Sequence, residues 1–171
     1  MKNDFFRIHA LFTRTTSQSP CLHEILATGG VYGLDKGEEK MKLIKNIDVY
    51  APEPLGKKDV LILGDKIAKI EEAGGMPEIP FLLPEDVIDG SDRILTPGFI
   101  DCHVHVLGGG GEGGFANRTP EATVEGMTRF GVTTVVGCLG TDGIGRDMCA
   151  LVAKTKGLNE QGMSAYCYTG S

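Results

Sequence analysis

The alternation of strands and helices after residue 95 constrains this chain more than any other feature of its sequence. The run VTTVVGCLG, residues 132–140, is almost continuously apolar, as is typical of a strand buried on both faces. Helices are predicted on either side of it, one from Thr119 to about Phe130 and one over residues 147–162, and SAYCYTGS begins another strand. This order is that of parallel β/α units. The sequence therefore predicts an α/β fold, either a β/α barrel or a doubly wound sheet.

The segment before these units has the shorter period of β-strands. MKLIKNIDVY reads as a strand that begins at Met41 and ends at a turn bounded by proline. DVLILGDKIAKIEE reads as a hairpin, with strands Asp59–Leu63 and Lys66–Glu71 joined by a turn at Gly64–Asp65. Because the residues before Met41 show neither period, we expect translation to start there and the preceding stretch to be a miscalled extension. The predicted domains are an unpatterned N-terminal extension at residues 1–40, a small β domain at 41–95 and the first β/α units at 96–171.

Charge and cysteine content narrow the class of protein. The 171-residue chain has a formal net charge of −6, which argues against nucleic acid or an anionic membrane as a partner, because both attract basic surfaces. No apolar run approaches the roughly 20 residues of a transmembrane helix. The five cysteines are odd in number and none stand at CxxC spacing, which favours reduced, mostly buried thiols over a disulfide framework. We therefore expect a cytoplasmic protein.

The strongest chemical signal is the pair of histidines in FIDCHVHV, His103 and His105. Successive side chains of a strand point to opposite faces, so the two imidazoles project the same way and can bind one metal ion. Cys102 and Val104 point the other way, and we expect Cys102 to pack rather than to bind metal. The alternative is a pair of buried histidines without metal. A site is favoured because the pair ends an apolar strand, and barrel enzymes build their sites at the C-terminal ends of strands.

The stretch around this pair carries a resemblance to a known group of proteins. TPGFIDCHVHV resembles the first barrel strand of the amidohydrolase superfamily, in which an HxH metal pair follows a PGxID stretch. The small β domain before it is similar to the N-terminal β-sandwich segment of that superfamily. The resemblance covers residues 41–171. It implies the start of a (β/α)8 TIM barrel, preceded by part of a small β-sandwich domain.

Directly after the histidines comes LGGGGEGG, residues 107–114, which we call the glycine loop. It resembles the loop of the isoaspartyl dipeptidases, where a glutamate binds the α-ammonium group of the substrate, and the similarity continues through RTPEATVEGMTRFGVTTVVGCLGTD. By this resemblance, the residues that contact a β-aspartyl dipeptide are Gly110, Gly111, Glu112 and Thr141. Glycines allow close approach of the backbone, and a carboxylate is the natural partner of an ammonium ion. Taken without the resemblance, Glu112 reads as a solvated loop acid and Thr141 as a helix cap, for which Asp142 is the better candidate.

The resemblance also implies what the complete enzyme contains. It would hydrolyse β-aspartyl dipeptides with two metal ions, usually zinc (Zn2+), bridged by a carboxylated lysine and a hydroxide, with two further histidines and an aspartate completing the site. None of these later groups can be placed here, since Lys154 and Lys156 fall on a predicted helix outside the barrel and read as a solvated face. No catalytic residue is therefore predicted within this chain. We expect the chain alone to be inactive and the complete enzyme to be a homo-oligomer.

Two alternatives to the dipeptidase remain open. One is an amidohydrolase that acts on a cyclic amide, such as a dihydroorotase or hydantoinase. The glycine loop favours the dipeptidase, because an α-ammonium group needs an anionic partner such as Glu112 and a cyclic amide does not. The other alternative is a truncated product without catalytic activity of its own.

Overall fold

The computed structural model describes residues 10–14 and 41–169, which form two compact units. The first unit holds residues 10–14 and 41–97, and the second holds residues 98–169. Apart from residues 10–14, the predicted extension lies outside the described residues. Within the described ranges, no helix combines the length and apolar character needed to cross a membrane. The predicted α/β class is confirmed, since sheets and helices are both present.

The first unit is an all-β structure. Its strands are β1 (Ala10–Arg14), β2 (Met41–Tyr50), β3 (Pro54–Leu63), β4 (Lys66–Glu72), β5 (Val87–Asp89) and β6 (Arg93–Pro97), and a 3₁₀ turn covers Pro84–Asp86. The strand order is β1-β6-β2-β3-β4, with β5 paired to β2. The predicted hairpin is confirmed as β3 and β4, although β3 begins at Pro54 rather than Asp59.

A bulge in β2 sets which of its side chains enter the core. Ile44 and Ile47 are three positions apart, so a regular strand would place them on opposite faces. Between them the pairing with β3 shifts, and Asn46 adopts φ 56°, which brings both isoleucines into the same fully buried cluster. The buried Asp59 carboxylate accepts the N–H of Asn46 at 2.9 Å and that of Gly74 at 2.9 Å. The acid therefore satisfies the backbone donor that the bulge leaves unpaired.

The second unit contains the predicted β/α units. Its elements are β7 (Phe99–Val104), α1 (Val124–Thr128), β8 (Val132–Gly137), α2 (Met148–Glu160) and β9 (Ser164–Cys167). The strands form a sheet of order β7-β8-β9, and both pairings are parallel, which confirms the predicted rhythm. The carboxyl ends of β7 and β8 therefore meet at one edge of the sheet.

Helix α2 covers one face of this sheet. Leu151 and Leu158 of α2 are fully buried in one cluster with Val135 of β8. The helix begins at Asp147, whose side chain accepts the N–H of Ala150 at 2.8 Å, as an N-cap does. The prediction that β8 is buried on both faces is wrong for the described residues, because its alternate positions are only half-buried.

Helix α1 is shorter than predicted. It begins at Val124, and the hydroxyl of Thr123 caps it by accepting the N–H of Gly126 at 3.0 Å. The predicted start at Thr119 is wrong, because Thr119 pairs with the glycine loop: its N–H donates to the carbonyl of Gly109 at 3.0 Å. The end of the helix agrees with the sequence, since Gly131 follows it with φ 82°.

Candidate functional site

The two histidines stand together at the carboxyl end of β7. The ring centroids of His103 and His105 lie 5.4 Å apart with nearly perpendicular ring planes, and both side chains are exposed. The carboxylate of Asp101 accepts the backbone N–H of His103 at 3.0 Å, which holds the backbone at the end of β7. The structure therefore places both imidazoles on one face, as the spacing in the sequence requires.

A third donor, Cys138, follows the end of the neighbouring strand β8. Its sulfur lies 3.5 Å from Nδ1 of His105, and one ligand atom from each of His103, His105 and Cys138 lies within 4.8 Å of the others. Burial raises the pKa of the Cys138 thiol, and the nearby Asp101 carboxylate raises this pKa further, so the sulfur is protonated at neutral pH without a metal. Imidazole nitrogen and cysteine sulfur are the donors that zinc prefers, so these residues fit the metal that the sequence analysis expected.

Cys138 was not among the metal ligands predicted from the sequence. The thiols were expected to be mostly buried, and none of them was assigned to a metal. Within the described part of the chain this expectation is wrong: Cys102 and Cys149 are exposed, and Cys138 and Cys167 are half-buried. The packing role predicted for Cys102 is therefore not observed, and its carbonyl instead accepts the hydroxyl of Tyr168 at 3.0 Å. The signal that could have found Cys138 is its place in the last part of the apolar run 132–140, directly after the end of the next parallel strand.

The glycine loop is held by backbone hydrogen bonds to the segment 117–119. The N–H of Gly111 donates to the carbonyl of Asn117 at 2.7 Å, and the N–H of Gly109 donates to the hydroxyl of Thr119 at 2.6 Å. Gly110 forms a bridge with Arg118 at φ 95°, and a Cβ there would lie 2.3 Å from the carbonyl oxygen of Asn117. A side chain at this position has neither the backbone conformation nor the space it needs.

The predicted substrate residues gather around this loop. The hydroxyl of Thr141 donates to the carbonyl of Gly110 at 3.2 Å, which joins the segment after β8 to the glycine loop. A Cβ on Gly111 would lie 3.2 Å from the Cβ of Asp142, so the two segments are in close contact. Glu112 follows directly and its side chain is exposed. The four residues are thus brought to one edge of the sheet, while their contact with substrate stays a prediction.

Asp142 is not the helix cap that the sequence suggested. Its carboxylate is almost fully buried, accepts the N–H of Gly145 at 2.9 Å, and forms ion pairs with Arg118 and with Arg146, the latter at 3.4 Å. Asp147 caps α2 in its place. The N–H of Gly145 is the largest of the influences that hold the pKa of Asp142 below its ordinary value, and both arginines add to this effect against the opposing effect of burial.

Arg146 joins this acid to the backbone of the glycine loop. Its Nε donates to the carbonyl of Leu107 at 2.8 Å, and its Nη2 donates to the carbonyl of Thr119 at 3.3 Å. The side chain of Arg146 is 9% exposed. Arg146 and its partner Asp142 therefore hold the backbone of the glycine loop in place, and this ion pair was not predicted from the sequence.

The lysines of α2 differ in their surroundings. Lys156 is exposed, as predicted for a solvated helix face. Lys154 is half-buried and its ammonium group lies 2.9 Å from the carboxylate of Glu121, so the prediction of a solvated side chain is wrong for it. This ion pair ties α2 to the segment before α1.

The chain is similar to proteins of known structure. No family model matches the chain. Two crystal structures of β-aspartyl dipeptidase from Fervidobacterium islandicum AW-1 share 47% and 48% of its residues over 79% and 77% of the chain, each with a TM-score of 0.69. The chain is similar to β-aspartyl dipeptidases of the amidohydrolase superfamily. The resemblance read from the sequence is thereby confirmed. One of the two structures is a complex with the dipeptide β-Asp-Leu.

A second group of relatives has another activity in its name. Dihydroorotases of Staphylococcus aureus are 38% identical over 95 residues, which is 56% of this chain and 20% of the enzyme. The chain spans 34% and 35% of the length of the two β-aspartyl dipeptidase chains. Both groups are hydrolases of one superfamily, so the similarity supports a hydrolase family function for the protein to which this sequence belongs.

Proposed function

We propose that this chain provides the first metal-binding strand and part of the substrate pocket of a metal-dependent β-aspartyl dipeptidase. The observation that carries the proposal is the convergence of the HxH pair, the glycine loop and Thr141 at one edge of a parallel sheet, in a chain 47% identical to such an enzyme. In this proposal the sheet β7-β8-β9 is the start of a (β/α)8 barrel, and the first unit is part of a β-sandwich.

Each residue has a distinct task in the proposed site. His103 and His105 hold a metal ion, which when bound would polarise the scissile carbonyl and activate a water molecule. Glu112 accepts the α-ammonium group of the dipeptide, because its exposed carboxylate stands on a loop of fixed backbone. Gly110 and Gly111 let the substrate approach the main chain closely, and the Thr141 hydroxyl orients the carbonyl group of Gly110.

The wider features expected from the sequence belong to the same proposal. They are two zinc ions bridged by a carboxylated lysine from outside this chain, a cytoplasmic homo-oligomer, and no activity of the chain by itself. What supports the zinc is the donor set of imidazoles and thiol. The described sheet has three strands, fewer than the eight that close a barrel, which supports the expected inactivity.

A cyclic amide is the second candidate substrate. It is favoured by the 38% identity with dihydroorotases over 95 residues. Only one of the two candidate substrates needs an anionic partner such as Glu112. A β-aspartyl dipeptide carries a free ammonium group beside the reacting amide, and dihydroorotate does not. The glycine loop with its exposed acid therefore favours the dipeptide.

The test is the variant Glu112→Gln in the longer protein that contains this chain. Loss of a charge-assisted hydrogen bond costs about 1.5–3 kcal/mol, so kcat/KM for β-Asp-Leu should fall roughly ten- to hundredfold. A substrate whose α-amine is acetylated should be hydrolysed equally well by both proteins. The matched control is Glu125→Gln, which removes an exposed acid from α1 and should change neither rate. An equal loss on both substrates would contradict the proposed role of Glu112.

The metal assignment has its own test. His103→Ala and His105→Ala should each lower the metal content measured by elemental analysis, because each removes a nitrogen donor from the group. Lys156→Ala, which removes an exposed side chain from α2, is the control. Unchanged metal content in both site variants would rule out the pair as ligands.

A further inference from the structure

We propose that Cys138 is a third protein ligand to the metal ion held by His103 and His105, so that this chain contains a His2Cys site for zinc or a similarly soft divalent cation. The proposal rests on the proposed function only in taking the two histidines as ligands. It is independent of which substrate the protein hydrolyses. It also assigns a chemical role to a cysteine that the sequence pattern leaves unmarked.

The separation of the Cys138 sulfur and Nδ1 of His105 matches that of two ligands on one zinc ion. Zinc binds sulfur at about 2.3 Å and nitrogen at about 2.0–2.1 Å, so a tetrahedral angle places the two donors about 3.5 Å apart. The sulfur of Cys138 lies 3.5 Å from Nδ1 of His105. One donor atom from each of His103, His105 and Cys138 lies within 4.8 Å of the others, so the three residues can converge on one ion.

The sheet, rather than a loose loop, holds Cys138 in place. Its backbone N–H donates to the carbonyl of Val104 at 2.9 Å, and Val104 lies between the two histidines. The preceding Gly137 is in register with Val104, and its carbonyl accepts the N–H of Tyr168 at 2.9 Å. Because strands on both sides fix the backbone, the sulfur is preorganised beside His105.

Gly140 gives the ring of His105 the space it needs. A Cβ at this position would lie 3.3 Å from Nδ1 and 3.6 Å from Cε1 of that ring. Cys138 and Gly140 thus both lie against the ring of His105. This arrangement suits a ring that binds a metal, because such rings are held in one orientation by their surroundings.

A weaker role for Cys138 would be a hydrogen bond that orients His105 without binding the metal. The same 3.5 Å separation is compatible with it. The proximity of His103 to the sulfur favours ligation, because a thiol that only orients one ring has no reason to lie near both. The two roles differ in a measurable way, since only a bound thiolate shares electrons with the metal.

The experiment is a titration of the metal-free longer protein that contains this chain with Co2+, followed by absorption spectroscopy. A bound thiolate adds a sulfur-to-cobalt charge-transfer band in the near ultraviolet, which nitrogen and oxygen ligands do not produce. We expect this band in the unmodified protein and its complete loss in Cys138→Ala, with cobalt affinity reduced by more than about a hundredfold, beyond the range typical of an outer-shell partner. Cys149→Ala, which removes an exposed thiol from α2, should keep the band.

The controls separate folding and function from ligation. Far-ultraviolet circular dichroism checks that each variant is folded, and Cys138→Ser repeats the test with a smaller change of volume. Cys138→His should restore affinity without the charge-transfer band. The proposal is overturned if the unmodified protein shows no such band, or if the band survives in Cys138→Ala and Cys138→Ser. In either case cobalt bound through the histidines alone would leave the proposed function intact, whereas cobalt binding unaffected by His103→Ala would contradict the proposed function.

Discussion

Replacing Gly110 with alanine should open the glycine loop, and three glycines of this region allow the cause to be separated. Gly110 has φ 95° and a Cβ there would meet the carbonyl oxygen of Asn117 at 2.3 Å. Gly114 has φ 102° but nothing within 4 Å of a Cβ. Gly143 has the same open space and a φ outside the left-handed region. Alanine at position 110 thus introduces both backbone strain and a steric clash. Alanine at position 114 introduces strain alone, and alanine at position 143 introduces neither.

The expected magnitudes follow from these geometries. Backbone strain at a position of this kind costs about 1–3 kcal/mol for a residue other than glycine. The clash adds about 1–3 kcal/mol, because the backbone of Asn117 must shift to admit the methyl group. Gly110→Ala should therefore destabilise the loop by about 2–6 kcal/mol, and Gly114→Ala by about 1–3 kcal/mol. Gly143→Ala should be neutral or stabilising by up to about 1 kcal/mol.

Amide hydrogen exchange measures this locally. The reporters are the N–H groups of Gly111 and Thr119, which donate to carbonyls of the facing segment at 2.7 and 3.0 Å. Their exchange should accelerate by about thirtyfold or more in Gly110→Ala and by about five- to 150-fold in Gly114→Ala, with the larger effect in Gly110→Ala. Gly143→Ala should not accelerate it. Amides of β8 serve as the reference for global unfolding. Equal acceleration in Gly110→Ala and Gly114→Ala would refute the argument from the Asn117 contact.

Three further predictions concern the groups that support the site. Arg146→Leu should destabilise the chain to urea by about 3–5 kcal/mol, because it removes one of the two guanidinium partners of a buried carboxylate and the donor to the carbonyls of Leu107 and Thr119. The exposed control Arg129→Leu should cost less than about 1 kcal/mol. The folded-state pKa of Asp142 is lowered, so its contribution to the free energy of unfolding is complete above the ordinary carboxyl pKa and is lost as the pH falls through the folded pKa. In Asp142→Asn, the free energy of unfolding measured by urea should therefore fall less steeply on acidification. The part of the acid dependence due to Asp89, whose pKa is lowered by hydrogen bonds from Ser91, should remain. Asn159→Asp should cost about 2–4 kcal/mol by thermal unfolding, because its amide donates to the carbonyls of Thr155 and Ala165 at 2.8 and 2.6 Å; a cost no larger than that of the exposed control Glu160→Gln would contradict this.

The strands and their parallel order could be predicted because each is a local pattern of apolar residues. The hairpin of β3 and β4 and the units β7, β8 and β9 were all visible in this way. The start of α1 was not, because Thr119 followed by proline carries the local signal of a helix start. The structure uses the Thr119 hydroxyl to bind the N–H of Gly109 instead. That partner lies ten positions away in sequence, where a local pattern gives no information.

The parts of the site that depend on local spacing were also predictable from the sequence. The spacing of His103 and His105 places both rings on one face of any strand, so their proximity follows from the sequence. Cys138 comes near them only because β8 pairs in parallel with β7 at a particular register. Asp142 had the local pattern of a helix cap, and its actual partners, Arg118 and Arg146, come from two separate segments. Contacts fixed by tertiary packing were those that the sequence left undetermined.

The metal donors and the glycine loop are mechanically connected through His105. Its carbonyl accepts the N–H of Gly108 at 2.8 Å. The carbonyl of Leu107, the first residue of the glycine loop, accepts from Nε of Arg146. A change that shifts Arg146 therefore displaces the backbone of a proposed metal ligand as well as the proposed substrate loop. Glu112, exposed on the far part of the loop, can change without moving either. It follows that Arg146→Leu should weaken both metal and substrate binding, whereas Glu112→Gln should weaken substrate binding alone, and equal metal affinity in the two variants would show that the loop does not position His105.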